Sequence, residues 1–220
     1  MEKRQCPYCK GPCTKNGRQR GKQRYKCKKC LKTFQLQYVY QAYAPHADAL
    51  LKSLLKEGCG VRSISRIMGI STKTILSRML KISHKLKAHR LGHPYANYEM
   101  DELWSYIGSK ANTVWITYAI ERETRGTVGF FVGSKTKANI RPLVNNLLLR
   151  NPKHIYTDRL NIYPALVPKT IHRFFRYSTN HIERKNLTLR THIKRLSRKT
   201  ICFSKKKKYL EAHLRIYFWG

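Results

Sequence analysis

The sequence predicts a multidomain chain in three parts: a small zinc ribbon, an all-α helix-turn-helix, and an α/β domain on a mixed five-stranded sheet. Three observations carry this reading. Two Cys-x-x-Cys pairs stand near the start. Apolar residues at helical spacing follow from 47 to 86. Beyond residue 98, strand-like runs give way to alternating helical and strand-like ones. The expected boundaries are 1–40, 45–90 and 98–220. Gly92-His93-Pro94 is the expected linker before the last part, because Gly and Pro discourage helix continuation.

The 220 residues carry 46 Lys and Arg against 11 Asp and Glu, a formal charge of +35. So large an excess of one sign repels itself in a compact protein and calls for a polyanionic partner. The charge is spread, +19 over residues 1–97 and +16 over 98–220, so nucleic-acid contact is not confined to one tail, and a basic patch needs only part of this charge. An apolar share of 41%, with 14 Tyr, 7 Phe and 3 Trp, excludes a disordered basic tail. No apolar run approaches the roughly 20 residues of a membrane span, and residues 1–6 lack the apolar stretch of a secretory signal. A cytoplasmic, nucleoid-associated location follows. There the seven Cys are expected to bind metal rather than form disulfides.

In the first part, Cys6-Pro7-Tyr8-Cys9 and Cys27-Lys28-Lys29-Cys30 are separated by seventeen residues. Two residues between paired thiols let both sulfurs reach one ion from a tight turn, and seventeen allow a hairpin to bring the pairs together. Cys6, Cys9, Cys27 and Cys30 are the expected ligands of one structural Zn²⁺; four thiolates leave no open position for catalysis. The ion stands in for a core that so short a segment cannot build. Tyr8, Tyr25 and Phe34 are expected to cover it. Cys13, Cys59 and Cys202 read as ordinary small side chains.

In the second part, Ala47, Leu50, Leu51, Leu54 and Leu55 follow one helical face, which Glu57-Gly58 ends. Residues 62–68 read as a short helix closed by Gly69. Ser71 is a good N-cap for a third helix striped by Ile75, Met79, Ile82 and Leu86. This order is a helix-turn-helix. Its opposite face carries Lys73, Thr74, Ser77, Arg78 and Lys81, the expected contacts to base edges and phosphates of double-stranded DNA. A plain three-helix packing unit with a solvated polar face is the alternative.

In the third part, residues 98–107, 114–121 and 127–132 read as successive strands, with turns at 108–112 and 123–126. A helical stripe at Ile140, Leu143, Val144, Leu147 and Leu148 follows. Then come a strand at 155–158, a short helix, a strand at 171–175, and a helix over 181–196 with Ile182, Leu189, Ile193 and Leu196 inward. Three antiparallel strands, helix, strand, short helix, strand, helix is the ribonuclease-H-like order. It sets the first and fourth strands side by side.

The chain has only three Asp, and two of them fall on those neighbouring strands: Asp101 and Asp158, with 56 residues between them. Glu183 follows after 24 more, near the start of the last helix. Clustered carboxylates repel unless cations sit among them, and oxygen donors suit Mg²⁺ or Mn²⁺. Two such ions about 4 Å apart clamp the attacking and leaving oxygens of a phosphoryl displacement. Arg190, two helical turns after Glu183, is placed to hold a phosphate. Glu99 and Glu102 are alternatives to Asp101, and Glu183 could instead pair with Arg184, Lys185 or Asn186.

Taken together these residues resemble a known family. The matching segments are Cys6-x-x-Cys9, residues 24–34, Asp101-Glu102-Leu103-Trp104, Tyr156-Thr157-Asp158, residues 182–190 and Phe203-Ser204-Lys205. They look like the transposases of the insertion-sequence-one family, over almost the whole chain. The resemblance implies a DDE transposase that binds the terminal inverted repeats of an insertion sequence and performs strand cleavage and transfer. It places Asp101, Asp158 and Glu183 at the catalytic positions and Arg190 at the basic position that follows. A homodimer or larger assembly on DNA is expected, because both ends must be cut together. Two other readings stand beside it: a zinc-finger/helix-turn-helix repressor with an inactive catalytic part, and a metal-dependent nuclease that never joins ends.

Overall fold

The computed structural model describes residues 5–19, 21–36, 40–87 and 93–220. Gly92 of the expected linker, residues 37–39 of the first expected module and residues 88–90 of the second lie outside the described residues. The chain divides into two compact units, Met1–Ala47 and Asp48–Gly220.

The first unit is an antiparallel sheet of β1 (Cys13–Gln19), β2 (Lys22–Cys27) and β3 (Thr33–Gln35), in that order. Its core is Cys6, Cys27, Tyr25 and Phe34, the two rings 5.8 Å apart. Tyr8 does not join them. It is 57% exposed, with the Lys32 ammonium 4.8 Å above its ring, so the expected third cover of the thiols lies at the surface.

The second unit opens with α1 (Ala47–Lys56), α2 (Val61–Met68) and α3 (Thr72–Lys85). Of the expected stripes, Ala47, Leu51, Leu55, Ile75, Met79 and Ile82 are buried while Leu50 is exposed, and α2 buries Ile64 and Met68. Gly69 adopts the left-handed conformation that ends α2, and the Ser71 hydroxyl accepts the Thr74 N–H that starts α3.

A five-stranded sheet follows: β4 (Asn97–Ile107), β5 (Ser109–Glu121), β6 (Thr127–Gly133), β7 (His154–Tyr156) and β8 (His172–Arg173). The order is β6-β5-β4-β7-β8. The first three strands are antiparallel, and β4, β7 and β8 are parallel. Helix α4 (Lys137–Leu148) covers one face, with Ile140, Val144 and Leu147 against Tyr98, Met100 and Ile155. Helices α5 (Asn180–His192) and α6 (Lys207–Trp219) cover the other, with Ile182, Leu189, Leu210 and Leu214 against Leu103, Ile116 and Tyr118.

Four features depart from the pattern reading. The first hairpin turns at Gly108 (φ 75°) and pairing resumes at Ser109, so most of the expected turn is strand. β7 and β8 stop early, which leaves Asp158 and residues 174–175 outside the sheet. Helix α5 ends at His192; Ile193 is extended and Lys194–Leu196 forms a short 3-10 turn, yet Ile193 and Leu196 remain buried. Finally, α6 has no counterpart in the expected order. It packs against α3, and the ring Nε2 of its His213 lies 3.0 Å from the Leu55 carbonyl. Among the described residues, no helix is long and apolar enough to cross a membrane.

Candidate active site

The site arises where a strand stops. β4 pairs with β7 only from Asn97 to Glu99, and β7 ends at Tyr156. Past that point one edge of β4 is open beside Thr157-Asp158. Crevices beyond the carboxyl ends of parallel strands are where open α/β sheets take ligands. Here Asp101, Glu102 and Asp158 each offer an oxygen, all within 4.8 Å of one another.

Each acid is held differently. Asp101 is partly buried; Oδ1 accepts the Glu102 N–H at 2.7 Å and Oδ2 accepts Nδ2 of Asn186 at 2.6 Å. Burial pushes its pKa up to about 7, and the charges of Glu102, Asp158 and Glu183 add to the rise. Glu102 is buried, hydrogen-bonded by the Tyr163 hydroxyl, with Lys135 Nζ 3.3 Å away; burial raises its pKa as well. Asp158 is exposed and its Oδ1 accepts the Leu160 N–H at 3.0 Å. Glu183 is exposed on the first turn of α5, and its Oε1 accepts the Thr179 hydroxyl at 2.8 Å. Asp101 and Asp158 therefore meet with Glu102, while Glu183 stands outside the group of three oxygens, its carboxylate drawn to its own helix start.

Helix α5 is fixed to the sheet by a residue that pattern reading weighed only as an alternative. Glu99 is fully buried. Its carboxylate accepts the Ile182 N–H at 2.9 Å, the His181 ring Nδ1 at 2.7 Å and Arg122 Nε at 2.8 Å. Thr179, the N-cap, makes no side-chain cap, so Glu99 supplies the negative charge and acceptor that a helix start favours. Its signal was available: Glu99 and Asp101 are two apart on one strand and share a face. Tyr118, opposite Asp101 in the β4–β5 register, lies within hydrogen-bond distance of both the Ile182 carbonyl (3.2 Å) and Asn186 Oδ1 (2.9 Å). No sequence pattern marks Asn186 or Tyr118 for these roles.

Arg190 sits further along α5. It donates to the carbonyls of Leu196 at 2.7 Å and Trp104 at 3.4 Å. Two of its five N–H donors thus tie α5 to the following turn and to β4.

On α3, Lys73, Ser77 and Lys81 are exposed. Thr74 is half-buried and shares a 2.9 Å hydrogen bond with Ser71, and Arg78 is ion-paired with Asp48. In the first unit the sulfurs of Cys6, Cys9, Cys27 and Cys30 lie within 4.8 Å of one another. The N–H groups of Lys29 and Cys30 point at Cys27 Sγ (3.3 and 3.4 Å), and with burial opposing them they hold that thiol down to about 6. Lys10 and Leu31, each just after the second cysteine of its pair, take left-handed backbone (φ 58° and 59°) that turns the chain away. A Cβ at Gly11 would sit 2.9 Å from Lys29 Cβ and 3.2 Å from Cys27 Sγ, so only glycine fits beside the thiols. Four converging thiols suit tetrahedral zinc, and three converging carboxylates suit a hard divalent cation.

A protein-family model described as IS1 transposase matches residues 96–218. The insertion element iso-IS1n protein InsB of Shigella dysenteriae is 44% identical over 107 residues, which cover 49% of this chain and 82% of that protein. The insertion element IS1 protein InsB of Shigella flexneri is 36% identical over 107 residues, with the same coverage of each chain.

Proposed function

This chain belongs to the IS1 transposase family, and from that premise we propose that it is a DDE enzyme that cuts and rejoins DNA strands at Asp101, Asp158 and Glu183. The observation that carries the reading is the meeting of Asp101 and Asp158 at the open edge of β4. The strand order, three antiparallel then two parallel, supports a ribonuclease-H-like catalytic domain over 98–220. The four thiols support a zinc ribbon over 1–40, and α1–α3 support a helix-turn-helix over 45–90.

In this reading Asp101 and Asp158 are the fixed ligands of two Mg²⁺ or Mn²⁺ ions. Glu183 joins them by leaving Thr179, a side-chain rotation at the exposed start of α5. Bound there, the ions supply a nucleophile at neutral pH and neutralise the charge that develops on the scissile phosphate. The protein does the rest. Asn186 and the Glu102 N–H orient Asp101. Glu99 fixes the helix that carries Glu183. Arg190, with two of its five donors on carbonyls, takes a phosphate oxygen with the other three. Lys73, Thr74, Ser77, Arg78 and Lys81 take the terminal repeats of the element, with Arg78 exchanging Asp48 for a phosphate. A first strand cut frees a 3′-hydroxyl, and the same acids then serve its attack on target DNA. The working species is a homodimer or larger on DNA, in the cytoplasm with the nucleoid. A repressor with an inactive catalytic part is not favoured, because the acids it would have no use for converge.

The test incubates end-labelled element DNA with the chain and Mg²⁺. Nicked and joined products are expected from the wild type. Asp158→Asn is expected to abolish both and leave end binding intact. Cleavage unchanged in that variant would reject these acids, and cutting without joining would favour a nuclease.

A further inference from the structure

We propose that Phe174, Phe175 and Tyr177, with Arg173 and Arg176, form a stacking platform for unpaired DNA bases beside the acid cluster. The proposal rests on the reading that this chain acts on DNA, and adds how the strand is held at the cut.

On the sheet, Tyr98, Tyr106 and Tyr118 are turned inward and buried. The segment from β8 to α5 does the opposite. Phe174, Phe175 and Tyr177 are 52%, 58% and 63% exposed. Rings exposed to water at three positions within four residues oppose the hydrophobic effect, which marks the segment as a contact surface. The backbone is fixed to present them. Ser178 N–H donates to the Phe175 carbonyl at 3.0 Å, and Phe175 N–H to the Ser178 hydroxyl at 3.4 Å. Ser178 and Thr179 are buried. Tyr177 takes φ 65°, a left-handed conformation uncommon for a bulky residue. Phe174 leans on His172 with ring centres 5.3 Å apart, Phe175 meets Tyr156 edge-on at 6.0 Å, and the Arg176 guanidinium lies 4.8 Å over Tyr177.

Place and charge select the occupant. The Thr157 N–H donates to the Arg173 carbonyl at 3.1 Å, so the platform begins across from the residue before Asp158, and it ends where α5 brings Glu183. Residues 159–182 hold Arg159, Lys169, Arg173 and Arg176 and no acid. Exposed rings interleaved with cations are the chemistry of single-strand binding: each ring offers a face to a base, and the guanidinium groups meet the phosphates between. Bases flanking a phosphate drawn into the acid cluster must leave the duplex stack, and these exposed rings offer faces to receive them.

The probes are two oligonucleotide duplexes of equal length, one blunt and one with a three-nucleotide unpaired 3′ tail carrying 2-aminopurine, titrated with the full chain without Mg²⁺. The wild type is expected to bind the tailed duplex about tenfold more tightly than the blunt one and to quench the 2-aminopurine. Tyr177→Asn suits the left-handed backbone, so a change in it is not misfolding. It is expected to bring tailed affinity down to the blunt value, as is Phe174→Ala, while Tyr177→Phe keeps the advantage. A wild type that does not discriminate, or Tyr177→Asn that still does, overturns the platform and leaves the transposase reading standing. Failure to bind either duplex overturns both. If Tyr177→Asn dissociates an oligomer in sedimentation with tail preference intact, the rings serve contact between copies of the chain and the platform is rejected.

Discussion

The carboxylate of Glu99 accepts the backbone N–H of Ile182 at 2.9 Å, a buried contact between the strand carrying Asp101 and the start of the helix carrying Glu183. Catalytic acids from distant parts of the sequence must be held to a fraction of an ångström. On the proposed mechanism this buried contact helps hold Asp101 and Glu183 in place. Glu99→Gln leaves Arg122 and His181 facing a neutral amide in a dry environment, where breaking a buried pair costs about 3–5 kcal/mol. The expected outcome is a lower denaturation midpoint, together with cleavage that demands more Mg²⁺ at temperatures where the variant is folded. Unchanged Mg²⁺ dependence would mean that Glu99 supports the fold alone.

Asn186 is expected to act on Asp101 directly. Asn186→Asp places a second carboxylate where an amide now donates at 2.6 Å, and like charges so close raise the pKa of the pair. Metal-free stability above pH 7 should fall by about 1–3 kcal/mol, and added Mg²⁺ should recover part of it. Chemical denaturation with and without Mg²⁺ checks this.

His213 gives a stability that depends on pH. Burial, aided by the charge of Arg195, lowers its pKa to about 3 in the fold, against an ordinary value of 6.5. Below 6.5 the unfolded chain binds a proton that the folded chain refuses. Stability is therefore full above pH 6.5 and falls as pH drops toward 3, by about 1.4 kcal/mol per unit from this group. His213→Gln is expected to remove one proton from the slope of unfolding free energy between pH 6 and 4. An unaltered slope would contradict the assignment.

Zinc should be confined to the first unit. Cys27→Ser removes the thiol that two backbone N–H groups hold down. About one equivalent of zinc per chain should be lost, residues 5–36 should become protease-sensitive, and the unfolding transition of 48–220 should persist. Elemental analysis with limited proteolysis decides it.

DNA binding by a chain of formal charge +35 should weaken steeply with salt, because each phosphate contact releases counterions. Affinity is expected to drop about a thousandfold or more between about 50 and 200 mM salt if six or more contacts form. A flat response in a fluorescence-anisotropy titration would contradict a phosphate-dominated interface.

Much of this architecture was legible because local pattern and tertiary burial agree. The stripes of α1 and α3, the Gly69 stop, the Ser71 cap and the three long strands all follow from periods of 3.6 and 2. The convergence of Asp101 and Asp158 was legible because strand order alone sets their strands side by side. What escaped depends on contacts between distant residues. Asn186 meets Asp101 and Tyr163 meets Glu102 only once the sheet is assembled. The last helix escaped because the run Lys205–Lys208 reads as charge, although it opens a helix whose Leu210 and Leu214 are buried. Arg190 was placed by seven-residue spacing from Glu183, but α5 ends at His192, and the turn that follows brings the Leu196 carbonyl to its guanidinium.

Crystals of the full chain soaked in Mn²⁺, measured at a wavelength where manganese scatters anomalously, decide whether Asp101, Asp158 and Glu183 together seat divalent ions. The expected result is a peak bridged by oxygens of Asp101 and Asp158, with Glu183 turned away from Thr179 toward it. Manganese bound elsewhere, or none at the open edge of β4 while Glu183 keeps its hold on Thr179, would contradict it.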